Sequence, residues 1–529
     1  MLAGLATTHS TVLVARQGDR EPWSTPMSET DAPRPDPEAD KRQREATEQL
    51  LARAPVQASG RVALASGAVL DYGVRAAFVP VTRGGIDTRS GELQAAVFTV
   101  AYTVPTPAGA VRPVCFAFNG GPGSASVWLH LGALGPKRVP IRDDGTMPLG
   151  PYEVQDNPLT WLEHFDLVFV DPPHTGYSMA VSEEARKKLL SVDGDVEALA
   201  EAMRAWLAAN RRFGAPLYLA GESYGTTRGA ALADRMLDLG LPLDGVILVS
   251  CAMDLQALAF APRNDLPYAL FLPAFAQVAH FHGRLRGTLG ASPEAAREAA
   301  QDFVQRDYLA ALHAGHRLDG AARRRIEKRL AELTGLPLAL VQEKNLRISD
   351  QCFFFEALRE QGRIVGRLEA RVTGPMAASR TRDWEFDPGI EAISGPYTTA
   401  ALAYFETLGI PTGARYEVLS RDVHKHWHWM RGNGEGGRGE QGFACTSTDL
   451  ARAMRRHPHM RVLVASGRYD LGTPYSASDW SLAQLDAPAD VLARVTHRYY
   501  DAGHMFYTRP QDLRQLKADL AVWLASSAD

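Results

Sequence analysis

The chain has 529 residues, of which 45% are hydrophobic, 22% charged and 8% aromatic, a globular composition with material for a large core. Its 57 basic and 61 acidic side chains leave a formal charge of −4, which argues against a nucleic-acid binder, since those carry a basic surplus. Four cysteines rule out a disulfide-built scaffold, and no run reaches the roughly 18 uninterrupted apolar residues of a membrane span.

The N-terminal MLAGLATTHSTVLVARQGDREPW lacks the basic region and compact apolar stretch of a secretory signal. Met27 offers a second start, MSETDAPRPDPEADK, in which prolines at 33, 35 and 37 alternate with charges. Residues 1–45 are expected to be a disordered or extraneous lead-in, with a short helix over Lys41 to Arg53. Cys115, Cys251, Cys352 and Cys445 stand at no metal-ligand spacing and read as buried, inert thiols, with a Cys352–Cys445 bridge left open. A reducing cytoplasm is the first expectation, and a periplasmic or secreted location the alternative.

Residues 61–81 and 92–104 read as antiparallel strands. Short apolar runs of the buried-strand type follow at Val111–Phe118, Asp166–Val170, Pro216–Ala220, Gly245–Ser250 and Arg461–Ala465, with another at 494–500. Helices over Asp193–Phe213 and Thr226–Leu239 separate some of them, Gly240 closing the second. This alternation predicts a mostly parallel sheet with helices on both faces. It stops near residue 256. From 256 to 449 the pattern is mainly helical, with a start at Ser292-Pro293-Glu294, a basic amphipathic helix over Asp319–Leu333, and a glycine-rich loop over 431–442. The expected organisation is a core in two parts, 60–255 and 450–529, interrupted by a helical cap over 256–449.

The strongest chemical signal is Gly221-Glu222-Ser223-Tyr224-Gly225, which follows an apolar strand and opens a helix. A nucleophile elbow needs that context. The turn strains the serine and exposes its Oγ, the glycines admit neighbouring backbone, and the helix N-terminus favours a developing oxyanion. A strand-to-helix turn with a capping serine is the plainer reading. A nucleophilic serine also needs a base and an orienter beyond later strands. Asp470 ends Ser466-Gly467-Arg468-Tyr469-Asp470 after one strand, and His504 lies in Ala502-Gly503-His504-Met505 after the next. Asp479 and Asp501 are weaker orienters. Asn119-Gly120-Gly121-Pro122-Gly123 follows a strand as an unobstructed loop of N–H donors, with Gly121 and Tyr224 the expected oxyanion-hole pair. No Lys-Ser/Thr follows those glycines, which argues against a phosphate loop. His424, His426 and His428 alternate with other residues and would share one face of a strand, but without an acidic partner they read as packing rather than a metal site. Phe353–Phe355 reads as cap core.

Together NGGPG at 119–123, LGP at 134–136, DPPHTGYS at 171–178, GESYG at 221–225, SGRYD at 466–470 and AGHM at 502–505 resemble the serine carboxypeptidase family (peptidase S10) of α/β-hydrolases, in a bacterial-type member. The six pieces keep the family's order over roughly 110–255 and 460–510. The resemblance implies an α/β-hydrolase fold with Ser223 as nucleophile, His504 as base, Asp470 as orienter and Gly121 and Tyr224 as oxyanion donors. It further implies that Asn119 and Glu222 bind the substrate's C-terminal carboxylate, Glu222 sharing a proton with it, so that cleavage favours acidic pH. The chain departs from the family pattern at Ala133, where a second Glu is usual, at Ser124, where a Cys often stands, and at Pro474, where an Asn is usual.

The expected function is therefore a serine-type carboxypeptidase that works on peptides through an acyl-enzyme, needing no cofactor or metal, no nucleic acid and no membrane. The sequence leaves the oligomeric state open. A proline-iminopeptidase-like aminopeptidase or esterase, and an acyltransferase on the same scaffold, are the alternatives. A catalytically silent binding protein is the last of them.

Overall fold

The structure is a computed structural model that describes residues 37–84, 91–107, 109–432 and 442–526. Most of the expected N-terminal lead-in and most of the glycine-rich loop lie outside the described residues. Helix α1 (Pro37–Ala52) begins inside that lead-in, so its last residues are helical rather than disordered.

The expected strand over 61–81 is two strands, β1 (Val56–Ala63) and β2 (Val69–Arg83). The small residues Ala65-Ser66-Gly67 turn the chain between them, Gly67 taking φ +87° and donating to Leu64 O. β3 (Glu92–Thr103) pairs antiparallel with β2. The buried runs become β4 (Val114–Phe118), β5 (Asp166–Val170), β7 (Leu217–Glu222), β8 (Gly245–Val249), β9 (Arg461–Gly467) and β10 (Val495–Tyr500), with the short β6 (Met179–Ala180) beside β3. All ten form one sheet in the order β1-β2-β3-β5-β4-β7-β8-β9-β10. From β5 to β10 every pairing is parallel. Every residue of β4, β5 and β8 is buried, as strands covered on both faces require.

Helices cover both faces. On one, α2 (Val192–Asn210) and α3 (Tyr224–Asp238) bring Leu199, Met203, Trp206, Leu232 and Met236 against the sheet. On the other lie Trp161, Phe165 and the residues Leu513 to Trp523 near the C-terminus. α2 is shorter than expected because Arg211, at φ 56°, turns left-handed and closes it. This is the α/β-hydrolase fold.

Between β8 and β9 the described residues add no strand to that sheet. They form α4 (Leu266–Phe281), α5 (Pro293–Phe303), α6 (Gly320–Thr334), α7 (Pro388–Thr407) and α8 (Arg421–His426), with a small hairpin of Arg363–Val365 and Thr373–Pro375. Ser292 Oγ accepts from Ala295 N at 3.1 Å, which makes it the N-cap of α5, and Gly335 ends α6 left-handed. Phe275 and Phe353 stack at the centre of a separate apolar cluster, while Phe354 and Phe355 meet Trp384. The four cysteines are free, Cys352 and Cys445 included. No described helix is long and apolar enough to cross a membrane.

Candidate active site

The parallel strands end along one edge of the sheet, where an open α/β sheet positions its chemistry. Asn119–Gly123 follow β4, Ser223 follows β7, Ser250 follows β8, Asp470 follows β9 and His504 follows β10.

Ser223 stands at φ 60°, a strained conformation for a non-glycine residue and the one an elbow requires. Its N–H donates to Val249 O at 2.9 Å, anchoring the turn to the neighbouring strand. The flanking glycines are steric necessities. A Cβ on Gly221 would stand 2.2 Å from Gly225 O, and one on Gly225 would stand 3.0 Å from Phe118 O. The NGGPG loop rests on the same turn, since a Cβ on Gly120 would stand 2.4 Å from Tyr224 N. Gly121 and Gly123 both take φ +103°. The first N–H groups of α3 have no intrahelical acceptor, so the Gly121 loop and Tyr224 bring main-chain donors together beside the serine.

His504 Nδ1 and Asp470 Oδ2 are 2.7 Å apart, both side chains buried. Asp470 is 0% exposed, yet it accepts from Gly472 N at 2.7 Å, Thr473 N at 3.0 Å and Thr473 Oγ1 at 2.7 Å. Burial alone would raise its pKa, but the His504 charge and these donors outweigh that and hold it below the ordinary carboxylate value. Burial would likewise lower the His504 pKa. The Asp470 charge prevails and raises it, with Glu222 adding to the effect and Arg367 opposing it. Ser250 Oγ donates to His504 O at 2.7 Å, and Thr473 Oγ1 also reaches Ser250 O. Ser250 thus ties the histidine loop to the strand that anchors Ser223. Among the described residues the Ser223 hydroxyl has no hydrogen-bond partner. The Asp–His half of the expected triad is made and the Ser–His contact is open, a contact that often tightens only when substrate binds. The rival orienters are committed elsewhere, Asp479 to His497 and Tyr499, and Asp501 to Arg468.

Glu222 is 3% exposed. Tyr507 donates from its hydroxyl to Glu222 Oε2 at 2.6 Å, and the Asn119 side chain lies within hydrogen-bonding range. Burial pushes the Glu222 carboxyl up to about 7, against the opposing pull of His504, Tyr507 and Asn119. Asn119 Oδ1 accepts from Leu129 N at 3.0 Å, which leaves its amide N–H groups to serve Glu222 or a ligand.

Several residues that hold this site went unread in the sequence. Arg228 on α3 is 1% exposed, pairs with Asp195 of α2 at 2.7 Å and donates to Asn119 O, fixing the loop on the elbow. An arginine and an acid on the buried faces of two helices were the available signal. From the segment between β8 and β9, Leu368 O accepts from His504 N at 2.6 Å and Glu369 Oε2 from Gly503 N at 2.8 Å. Asp387 Oδ1 accepts from Arg367 N and Gly389 N, while Arg367 O accepts from Leu471 N. Segment 367–370 therefore grips both the aspartate and the histidine loops. The expectation for the histidine run is corrected. Ser420 caps α8 through Val423 N and winds the chain into a helix as far as His426, while His428 lies beyond it in a bridge to Ser191, so His424, His426 and His428 share no strand face. His426 instead pairs with Asp422.

Residues 99–240 match the family described as serine carboxypeptidase. Over that stretch the chain is similar to the serine carboxypeptidase family, peptidase S10. The match covers NGGPG and the elbow but ends before Asp470 and His504. No curated protein matches the chain. Among solved structures it is similar to a proline iminopeptidase of Mycobacterium smegmatis, at 12% identity and a TM-score of 0.36, over 85% of this chain and 98% of that one. It is also similar to a putative aryl esterase of Burkholderia cenocepacia, at 12% identity and a TM-score of 0.31, over 88% of this chain and 100% of that one. An acetylester hydrolase of Corynebacterium glutamicum stands at 12% identity and a TM-score of 0.32, over 88% and 95%. Likenesses this distant say nothing of substrate. The chain is a hydrolase, and its own residues must argue the rest.

Proposed function

We propose that the protein is a serine-type carboxypeptidase that removes C-terminal residues from peptides through an acyl-enzyme. The observation that carries this reading is Glu222, a buried carboxyl raised to about 7 next to the elbow serine, with the Asn119 amide beside it. A protonated carboxyl can donate to a substrate's terminal carboxylate, and an amide can donate a second bond. An esterase has no use for that arrangement, because its substrates carry no anion there.

In this reading His504 takes the proton of Ser223 Oγ as the oxygen attacks the scissile carbonyl, and Asp470 steadies the imidazolium that forms. Main-chain N–H groups of Gly121 and Tyr224 stabilise the tetrahedral oxyanion, one such donor being worth about 3 kcal/mol in the transition state. His504 then gives its proton to the departing amine, and water resolves the ester by the same steps in reverse order. Residues 256–449 act as a cap whose segment 367–370 walls the site.

The test is a pair of peptides, one N-blocked with a free C-terminus and the other free at its N-terminus and C-amidated. The expected outcome is hydrolysis of the first and little or none of the second. Preference for the second would replace this reading with an aminopeptidase. Equal cleavage of a blocked ester and the blocked acid would replace it with an esterase.

A further inference from the structure

The resemblance implies a second carboxyl at position 133, where this chain has Ala133. Ala133 is itself 0% exposed and its carbonyl accepts from Asn157 Nδ2, so nothing at that position can serve a ligand. The space in front of Glu222 is nevertheless occupied. Tyr507, three residues beyond His504, donates to Glu222 Oε2 at 2.6 Å. Its ring lies on Gly132, where a Cβ would stand 2.5 Å from Tyr507 Cε2 and 2.7 Å from Tyr397 Oη. Gly132 makes room for two phenols that any side chain there would displace. Both tyrosines are 0% exposed, and the Tyr397 hydroxyl has no partner among the described residues.

The groups facing Glu222 come from four elements besides its own. Asn119 follows β4, Asp470 follows β9, His504 and Tyr507 follow β10, and Tyr397 projects from α7. Asp470 is committed to His504, and Tyr397 makes no hydrogen bond. Tyr507 and Asn119 are the only ones of these that hydrogen-bond the Glu222 carboxyl.

We propose that Tyr507 is a positioning residue for carboxylate recognition: it stands in for the missing second acid, holding one oxygen of Glu222 so that the rest of the carboxyl faces the substrate's terminal carboxylate. The inference rests on the carboxypeptidase reading and adds a consequence that reading does not have by itself. Two acids facing a carboxylate would bring two coupled protonation steps to recognition. A buried phenol keeps its proton throughout the working range, its pKa raised further by burial and by Glu222, so here a single proton governs recognition.

The experiment measures kcat/KM against pH for an N-blocked free-acid peptide and for the matching N-blocked ester, with wild type and Tyr507→Phe. Wild type should lose activity on the acid as pH rises past about 7, with a limiting slope of one on a logarithmic plot, and the ester should lack that limb. In Tyr507→Phe the limb should move about 1 to 2 pH units upward, because a donor favouring ionised Glu222 is gone. KM for the acid should rise severalfold while kcat holds. A wild-type slope of two, or a limb and KM that Tyr507→Phe leaves in place, would overturn the proposal and leave the carboxypeptidase reading standing. The slope needs no variant, so a misfolded Tyr507→Phe does not spare the proposal. If wild type shows no preference for the acid over the ester and no limb, the carboxypeptidase reading itself fails and this inference goes with it.

Discussion

Two carboxyls lie in this site, both buried and both next to His504, and they are held in opposite states. Asp470 accepts from two main-chain N–H groups, one hydroxyl and the imidazole, and stays an anion below its ordinary range. Glu222 has one phenol and one amide within reach, and burial raises it to about 7. Burial penalises both charges, so the His504 charge together with the donors facing each carboxyl decides which one keeps its charge. The loop after β9 is built to hold a negative charge beside the imidazole. The strand end at β7 is built to hold a proton beside the serine. One fold edge thus carries an anion and an acid at the same pH, which is how acid and base roles are divided when both side chains are carboxyls.

Replacing the anion is the largest way to break the comparison. Asp470→Asn keeps shape and removes charge, and its amide leaves His504 in the wrong tautomer to accept the serine proton. The expected result is a fall of about 10⁴ in kcat with KM little changed. Fluorophosphonate labelling of Ser223 should slow in parallel, and steady-state kinetics on the free-acid peptide measures the loss directly. A modest fall, within about tenfold, would mean that His504 is not the base.

A third buried carboxyl faces a cation, and burial still raises its pKa against that cation's pull. Asp195 has a cation, Arg228, at 2.7 Å, with both side chains almost fully buried. Asp195→Asn strands that cation in the core. The expected cost is about 3–5 kcal/mol of stability, read as a lowered midpoint in denaturant. Arg228 also donates to Asn119 O, so the surviving folded enzyme should show a kcat loss from a loosened Asn119–Gly123 loop.

How much of this was legible in the sequence follows the range of the contacts. Every parallel strand and the elbow are local patterns: a short apolar run, a turn with glycines, a helix. The strand Asp166–Val170 is legible to the residue, and so is the turn at Ser223, because strand, turn and helix adjoin in the chain. The positions of Asp470 and His504 were readable for the same reason, each closing an apolar run. What grips them was not readable. Glu369 reaches Gly503 across 134 residues and Ser250 reaches His504 across 254, and no local period encodes such a meeting. Tyr507 lies two residues beyond the AGHM motif, and its aim at Glu222 depends on the bare Gly132 far upstream. The histidine run misled because alternation is a strand signal, whereas the cap at Ser420 and the acid in the first turn settle the segment as helix.

The smallest expected effect is the most telling about Glu222. Glu222→Gln imitates the protonated acid permanently, keeping an oxygen for Tyr507 and offering N–H donors to a carboxylate. Below pH 6 the free-acid peptide should be cleaved within a fewfold of the wild-type rate. Above about 7 wild-type Glu222 ionises and repels the substrate carboxylate, while the variant does not, so the two pH profiles should diverge there in favour of the variant. Stability provides a check without substrate. A carboxyl whose folded pKa is raised binds its proton more tightly in the folded state, so wild type loses stability as pH climbs from the ordinary value of 4.5 and has lost the full increment above about 7. That increment is about 3 kcal/mol on the raised value, and glutamine is exempt from it. The denaturation midpoint of Glu222→Gln relative to wild type should therefore rise between pH 5 and pH 8. A gap that stays constant would mean that Glu222 is already ionised in the folded protein, and the contrast with Asp470 would be lost.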